Sequence, residues 1–354
     1  MKRRLEMTQR AIDYRNNASI ETVKYPDGSE VPLNGCLEAD EFEMEVREAM
    51  SSEAVSFTTT WAQGDMPIFK YDAAFKAYLK ERQQVCRSLE QRGISWNPWD
   101  VLRALPANRK DNDFLYFSQG SVPSCMGHAD AFAHESSALM EIAITNSPIT
   151  YRSINPIVTW YLSKGKSMRG GQSVSVMSKW SNEHGLYPIS NVGRTNTVVP
   201  ENYPQFAQQA KENQNAVVFF TDDFADQIWE VCMSGLAVAC GNSTAVRGAQ
   251  LDKNNMRLAV ISGSWAHATH LAGYLKVKGE EYIGWINSHG ARYGTNNDGA
   301  PADMCWMTRP IFKQFCSTMR GYGAPYAVIP EAPAIAWNSL ERIVSPPMPA
   351  IVAP

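Results

Sequence analysis

The 354-residue sequence has no Cys-x-x-Cys pair, and its seven cysteines (Cys36, Cys86, Cys125, Cys232, Cys240, Cys305 and Cys316) are scattered and odd in number. This argues against a disulfide framework and against a zinc site. Most of them suit the role of small buried hydrophobes, and no metal or cofactor is expected. No apolar run approaches the roughly 18 residues that a spanning helix needs. The basic opening MKRRLEMTQR has no apolar stretch behind it, so no secretory signal is expected and a cytosol-like compartment is. Charge is also scarce. Asp, Glu, Lys and Arg make up 19% of residues and the net charge is −3, too little of either sign to point to nucleic acid or an anionic membrane. No internal repeat is present.

Apolar residues are plentiful, at 44%, and the length is enough for one large domain or two ordinary ones. The first 35 residues are polar, with a turn at YPDGSE. ADEFEMEVREAM (39–50) reads as a short acidic helix. The three-and-four spacing of apolar residues from Tyr71 to Ile94 predicts a longer one, with Gly93 as its stop. SWNPWDVLRAL predicts a turn and a short helix. Pro123 and Ser124 then mark the start of a helix carrying Ala129, Phe132, Ala133, Leu139 and Met140 on an apolar stripe. Further helices are expected over Ile154–Ser163 and after the turn at Gly170-Gly171. NAVVFFTDD reads as a buried strand, and FADQIWEVCMSGLAVAC as a helix running into strand. RLAVISGSWAHATHLAGYLKV and EEYIGWINSHG read as strands of one sheet. NST at Asn242 matches a glycosylation acceptor but reads as a turn. The tail from about residue 331 is Pro-rich and extended. Helices come first and strands later, which is the α+β pattern of segregated layers.

Gln119 and Cys125 raise a chemical possibility. A thiol in the first turn of a helix meets oriented N–H groups that favour the thiolate, and a Gln amide nearby can donate to an oxyanion. A base is then required, and six histidines are available: His128, His134, His184, His267, His270 and His289. In a strand through WAHATHLAGY, His267 and His270 point to opposite faces, so only one can meet the nucleophile. Asn287, on the following strand, can hold an imidazole in one tautomer. His128 reads as structural or cleft-rim, and His270 as packing.

These segments resemble the papain-like cysteine peptidases. The resemblance rests on Gln119-Gly120 with Cys125 six residues after the Gln, on Gly170-Gly171, on His267-Ala268 followed by Gly273-Tyr274, and on Asn287-Ser288-His289-Gly290 followed by Tyr293-Gly294. His267 lies 142 residues after Cys125, within the roughly 130–150 expected for that family, and Asn287 lies 162 after it. The resemblance implies a two-lobed fold, a helical lobe with the nucleophile and an antiparallel β lobe with His and Asn. It also implies peptide hydrolysis through a thioester, with Cys125 as nucleophile, His267 as base, Asn287 as its orienter, Gln119 as oxyanion donor and Gly170-Gly171 binding an extended peptide. A Cys–His ion pair is expected. Val122, Met126 and His289 depart from the family pattern, at positions that usually hold a disulfide cysteine, an aromatic and a shielding Trp.

The resemblance covers about residues 118–326. The chain then divides into an N-terminal extension (1–110), pro-segment-like by position or a docking region, a peptidase unit (111–330) and a tail (331–354). The extension lacks the spaced Glu-Arg-Phe-Asn-Ile-Asn helix of the family's inhibitory segments. The alternative reading is a structural component of a large assembly such as a virion or phage particle. Its termini would dock on neighbouring chains and its peptidase fold would be inherited.

Overall fold

The helix that begins at Cys125 runs to Thr145, and from Cys125 to Ile142 only Ala138 escapes burial. It is seen in a computed structural model that describes residues 22–24, 30–32, 41–56, 68–91, 96–110, 118–145, 150–195, 197–214, 216–220, 224–289 and 304–330. A helix buried on all sides must have its polar groups answered from the surrounding layers. Asp130 accepts hydrogen bonds from Tyr326 Oη (2.5 Å) and Ser181 Oγ (3.2 Å). Glu135 accepts from Tyr151 Oη and from the Ile154 N–H, each at 2.7 Å. Glu141 pairs with Arg82, and Ser137 Oγ accepts the Ala237 N–H at 2.9 Å. The expected apolar stripe is therefore only part of the surface this helix buries.

Gly127 lets a second helix, Pro156–Ser163, come close. A Cβ at Gly127 would lie 2.4 Å from the Pro156 carbonyl oxygen and 2.6 Å from Trp160 Cβ. Asn155 caps that second helix, its side chain accepting from the Ile157 and Val158 N–H groups.

Nine strands are described. β1 (Thr22–Lys24) and β2 (Glu30–Pro32) form an antiparallel pair on either side of the predicted YPDGSE turn; residues 25–29 lie outside the described set. The other seven are β3 (Ile68–Phe69), β4 (Ala216–Phe219), β5 (Val238–Leu251), β6 (Arg257–Val277), β7 (Glu280–Ile286), β8 (Met304–Thr308) and β9 (Tyr326–Ile329). They form one sheet in the order β3-β4-β9-β5-β6-β7-β8. Neighbours are antiparallel except β3 and β4, and the sheet curls until β6 touches β8 at Leu258 and Trp306. The architecture is α+β, as expected. Asn242 is not in a turn: it is buried in β5 with its Nδ2 donating to Thr244 O at 2.5 Å.

The pairing of β6 with β7 carries one irregularity. His270 faces Ile286 and Leu271 faces Trp285, then the register shifts by one, and Tyr274 faces Ile283. The extra residue is taken up around Gly273, whose φ of +83° is in the left-handed region. A Cβ there would lie 3.0 Å from the Trp96 carbonyl oxygen.

The helix expected over Tyr71–Ile94 spans Ala73–Gln91 and is pinned to the central helix by Arg82, which also donates to Ser234 O at 3.0 Å. The acidic helix expected over 39–50 spans Glu41–Glu53, and its Glu53 pairs with Lys179 at 3.1 Å. The short helix after SWN spans Pro98–Ala104, capped by Asn97. The tail from residue 331 lies outside the described residues.

Candidate active site

Period-two geometry places the site on one face of β6. Trp265, His267 and Thr269 share that face, and His270 takes the other, where its ring meets Phe132 at 5.4 Å. Carrying the His270–Ile286 register past the end of β7 sets Asn287 opposite Thr269 and His289 opposite His267. The side chains meet accordingly. His267 Nε2 donates to Asn287 Oδ1 at 2.7 Å, and the rings of His267 and His289 lie 4.0 Å apart.

The Asn287 amide is fixed in orientation because its Oδ1 also accepts the Ser288 N–H at 2.8 Å, which an NH₂ group could not do. Nε2 of His267 therefore carries a proton, and neutral His267 presents a bare lone pair at Nδ1. Nδ1 is buried and has no hydrogen-bond partner.

The nucleophile candidate comes from the other side. Ala268 N–H, one residue from His267, donates to Cys125 Sγ at 3.4 Å. The Cys125 and Met126 amides at the helix start also favour negative charge on sulfur, yet burial outweighs all three and pushes the thiol up to about 12. Burial likewise lowers His267 to about 4, against the raising effect of its bond to Asn287. Burial of both groups therefore works against the expected ion pair, raising the Cys125 thiol and lowering the His267 imidazole.

Gln119 is buried and locked into the same structure. Its Oε1 accepts from Ser288 Oγ at 2.6 Å, its Nε2 donates to Val122 O at 3.1 Å, and its backbone N–H donates to Ser288 O at 2.8 Å. Ser288 thus joins the Asn287 turn to the Cys125 loop. Gly120, at a φ of +57°, makes the turn that brings Gln119 back over the start of the helix. Gly170 and Gly171 are buried in a separate turn and, among the described residues, share no hydrogen bond with Cys125, His267 or Asn287. Gly290, Tyr293 and Gly294 lie outside the described residues.

Two further side chains lie near the site, of which Trp265 was not singled out from the sequence. Trp265 packs against both imidazoles, 4.7 Å from His267 and 5.3 Å from His289. Apolar cover for the His267–Asn287 bond therefore comes from Trp265 although His289 stands where Trp was expected; the signal was its place two residues before His267. His128 is not at a rim. It is buried one turn into the central helix, with Nδ1 donating to Ser124 O at 3.0 Å. Burial lowers it to about 4 against that bond, and proximity to His267 lowers it further.

The six described cysteines are buried, and no disulfide joins any two of them. Among the described residues no cluster of His, Cys, Asp or Glu has the geometry of a metal site, and no helix is long and apolar enough to cross a membrane.

No protein-family model matches the chain, and no curated protein matches it in sequence. In structure the chain is similar to xylellain, a cysteine protease from Xylella fastidiosa. That match has 15% identity and a TM-score of 0.44, covering 65% of this chain and 88% of that one. It is also similar to the proform of the ragweed cysteine protease Amb a 11, at 14% identity and a TM-score of 0.42, covering 61% of each chain. A third similar structure is procathepsin B S9 of Trypanosoma congolense, at 10% identity and a TM-score of 0.40, covering 84% of this chain and 94% of that one.

Proposed function

We propose that this chain is a cysteine endopeptidase in which Cys125 attacks a peptide carbonyl with His267 as its base. The observation that carries the reading is the His267 ring. It is held at Nε2 by Asn287 and bare at Nδ1, and the neighbouring Ala268 N–H lies against Cys125 Sγ. When a peptide seats, the thiol proton passes to His267 Nδ1 and the thiolate forms the C–S bond. The oxyanion takes hydrogen bonds from the Cys125 N–H and the Gln119 side-chain amide. The amine leaves with the proton from His267, and water then hydrolyses the thioester.

In this reading an extended peptide runs along Gly170-Gly171. Residues 1–110 are read as an extension to a peptidase unit at 111–330, and the buried Arg82–Glu141 pair supports docking of its helix Ala73–Gln91 on that unit. Buried cysteines with no disulfide among those described suit a reducing compartment. The assembly-component alternative has no observation in its favour; the termini that would dock, 1–21 and 331–354, lie outside the described residues.

The test is labelling with a peptidyl epoxide and with iodoacetamide at pH 6, mapped by peptide mass. Cys125 should react well ahead of the other cysteines, and His267→Ala should abolish that lead. Labelling of Cys125 no faster than Cys232 or Cys316 would sink the proposal.

A further inference from the structure

The end of the Pro156–Ser163 helix carries a buried lysine. Lys164 has its side chain over the Trp160 ring, 4.9 Å from the centroid. Its ammonium does not reach solvent. It donates to the Arg169 carbonyl and, at 2.5 Å, to the Gly170 carbonyl. A buried charge costs several kcal/mol unless strong acceptors receive it, so the two carbonyls and the ring define a built site.

What it holds is the turn from Gly165 to Gly170. Gly165, Lys166 and Gly170 there have φ of 65°, 69° and 66°. Three left-handed residues so close together need support, because a non-glycine such as Lys166 adopts that conformation at a cost. The far side of the glycine pair is held as well. Gln172 Nε2 donates to Ser163 O (3.1 Å) and Ser163 Oγ (2.9 Å), while its Oε1 accepts the Ser173 N–H at 2.9 Å. Gly170 and Gly171 are thus bracketed by two side-chain clamps that both end on residues 163 and 164.

We infer that Lys164 is the positioning residue of the peptide-binding edge: its buried ammonium holds the carbonyls that precede Gly171, and so sets how well an extended peptide is bound while leaving the reactivity of Cys125 alone. The inference rests on the peptidase reading above and deepens it.

The test compares two reagents on one thiol. Iodoacetamide needs only a reactive Cys125; a peptidyl epoxide needs the edge too. Lys164→Met keeps the stem over Trp160 and removes the charge. The ratio of peptidyl-epoxide to iodoacetamide rates should fall about tenfold, the worth of roughly one good hydrogen bond, while the iodoacetamide rate stays within about twofold, the spread of a site left unperturbed. Lys164→Arg, which restores a cation, should recover most of the ratio. Should Lys164→Met not fold, Gln172→Leu opens the other clamp and should lower the same ratio. A folded variant with an unchanged ratio overturns the inference, as does a parallel fall of both rates, which would mean a general structural role. Failure of the parent reading looks different: wild-type Cys125 would then show no preference with either reagent.

Discussion

At the scale of single residues, the site depends on which nitrogen of His267 is bare. Asn287 decides it, and Ser288 decides Asn287 by donating its N–H to the same oxygen. Asn287→Ala should leave the protein folded but release the ring; on the proposed mechanism, kcat/KM for a peptide substrate should drop about a hundredfold, the usual cost of a misplaced catalytic group. A drop below about twofold would mean that stacking between Trp265 and His289 is enough to hold the imidazole. Much of this was legible in sequence, because a Cys after a start signal and a His and Asn on successive strands are local patterns. The pull of burial against the expected ion pair was not. It depends on everything packed around Cys125 and outweighs the three N–H groups at its sulfur, of which the sequence suggested only those at the helix start. Trp265 was missed for a similar reason, since an aromatic in a strand ordinarily belongs to the core.

At the scale of elements, the central helix and the Pro156–Ser163 helix touch through Gly127. Gly127→Ala would place a methyl against the Pro156 carbonyl and Trp160, within the first turn after Cys125. It should lower stability by about 1–3 kcal/mol, as overpacking does. Urea unfolding measures this, and a midpoint unchanged from wild type would show that the helices can part freely. Helix positions followed from periodicity and caps, and the strands read from the β-formers of RLAVISGSWAHATHLAGYLKV and EEYIGWINSHG are present, the second ending at Ile286. Asn242 was misplaced because Gly, Asn, Ser and Thr together read as turn chemistry, whereas pairing with β6 on one side overrides that preference. The order of the seven strands was not legible. It depends on contacts such as β3 with β4 and β9 with β5, between residues far apart in the chain.

At the scale of the molecule, burial of ionisable groups couples the fold to pH. His128, His134 and His267 are lowered by burial to about 4, and His270 to about 3. Each contributes stability that is present above the ordinary imidazole value and lost as pH falls through the folded one. Asp130 runs the other way. Burial raises it to about 7 despite the hydrogen bonds from Tyr326 and Ser181, so its contribution is present at low pH and lost as pH rises through 7. The urea midpoint should therefore fall steadily between about pH 6.5 and pH 4, where four imidazoles outweigh one carboxyl. Asp130→Asn mimics the protonated carboxyl. Its midpoint relative to wild type should be higher at pH 8 than at pH 5, and an equal difference at both would mean that Asp130 titrates normally.

The extra residue around Gly273 has a consequence that reaches along β6 to the site. It works as a frame shift does in a message. Upstream of it β6 and β7 are read in one frame, and Asn287 falls on the same face as His267. In the frame that holds from Tyr274 onward, residue 287 would fall opposite His270, and its side chain would point away from His267. Every residue of the site would still be present in the sequence and at the same spacing, yet His267 would have lost its hydrogen bond to Asn287. A single glycine with positive φ, more than a dozen residues from Asn287, sets the phase in which the site is spelled.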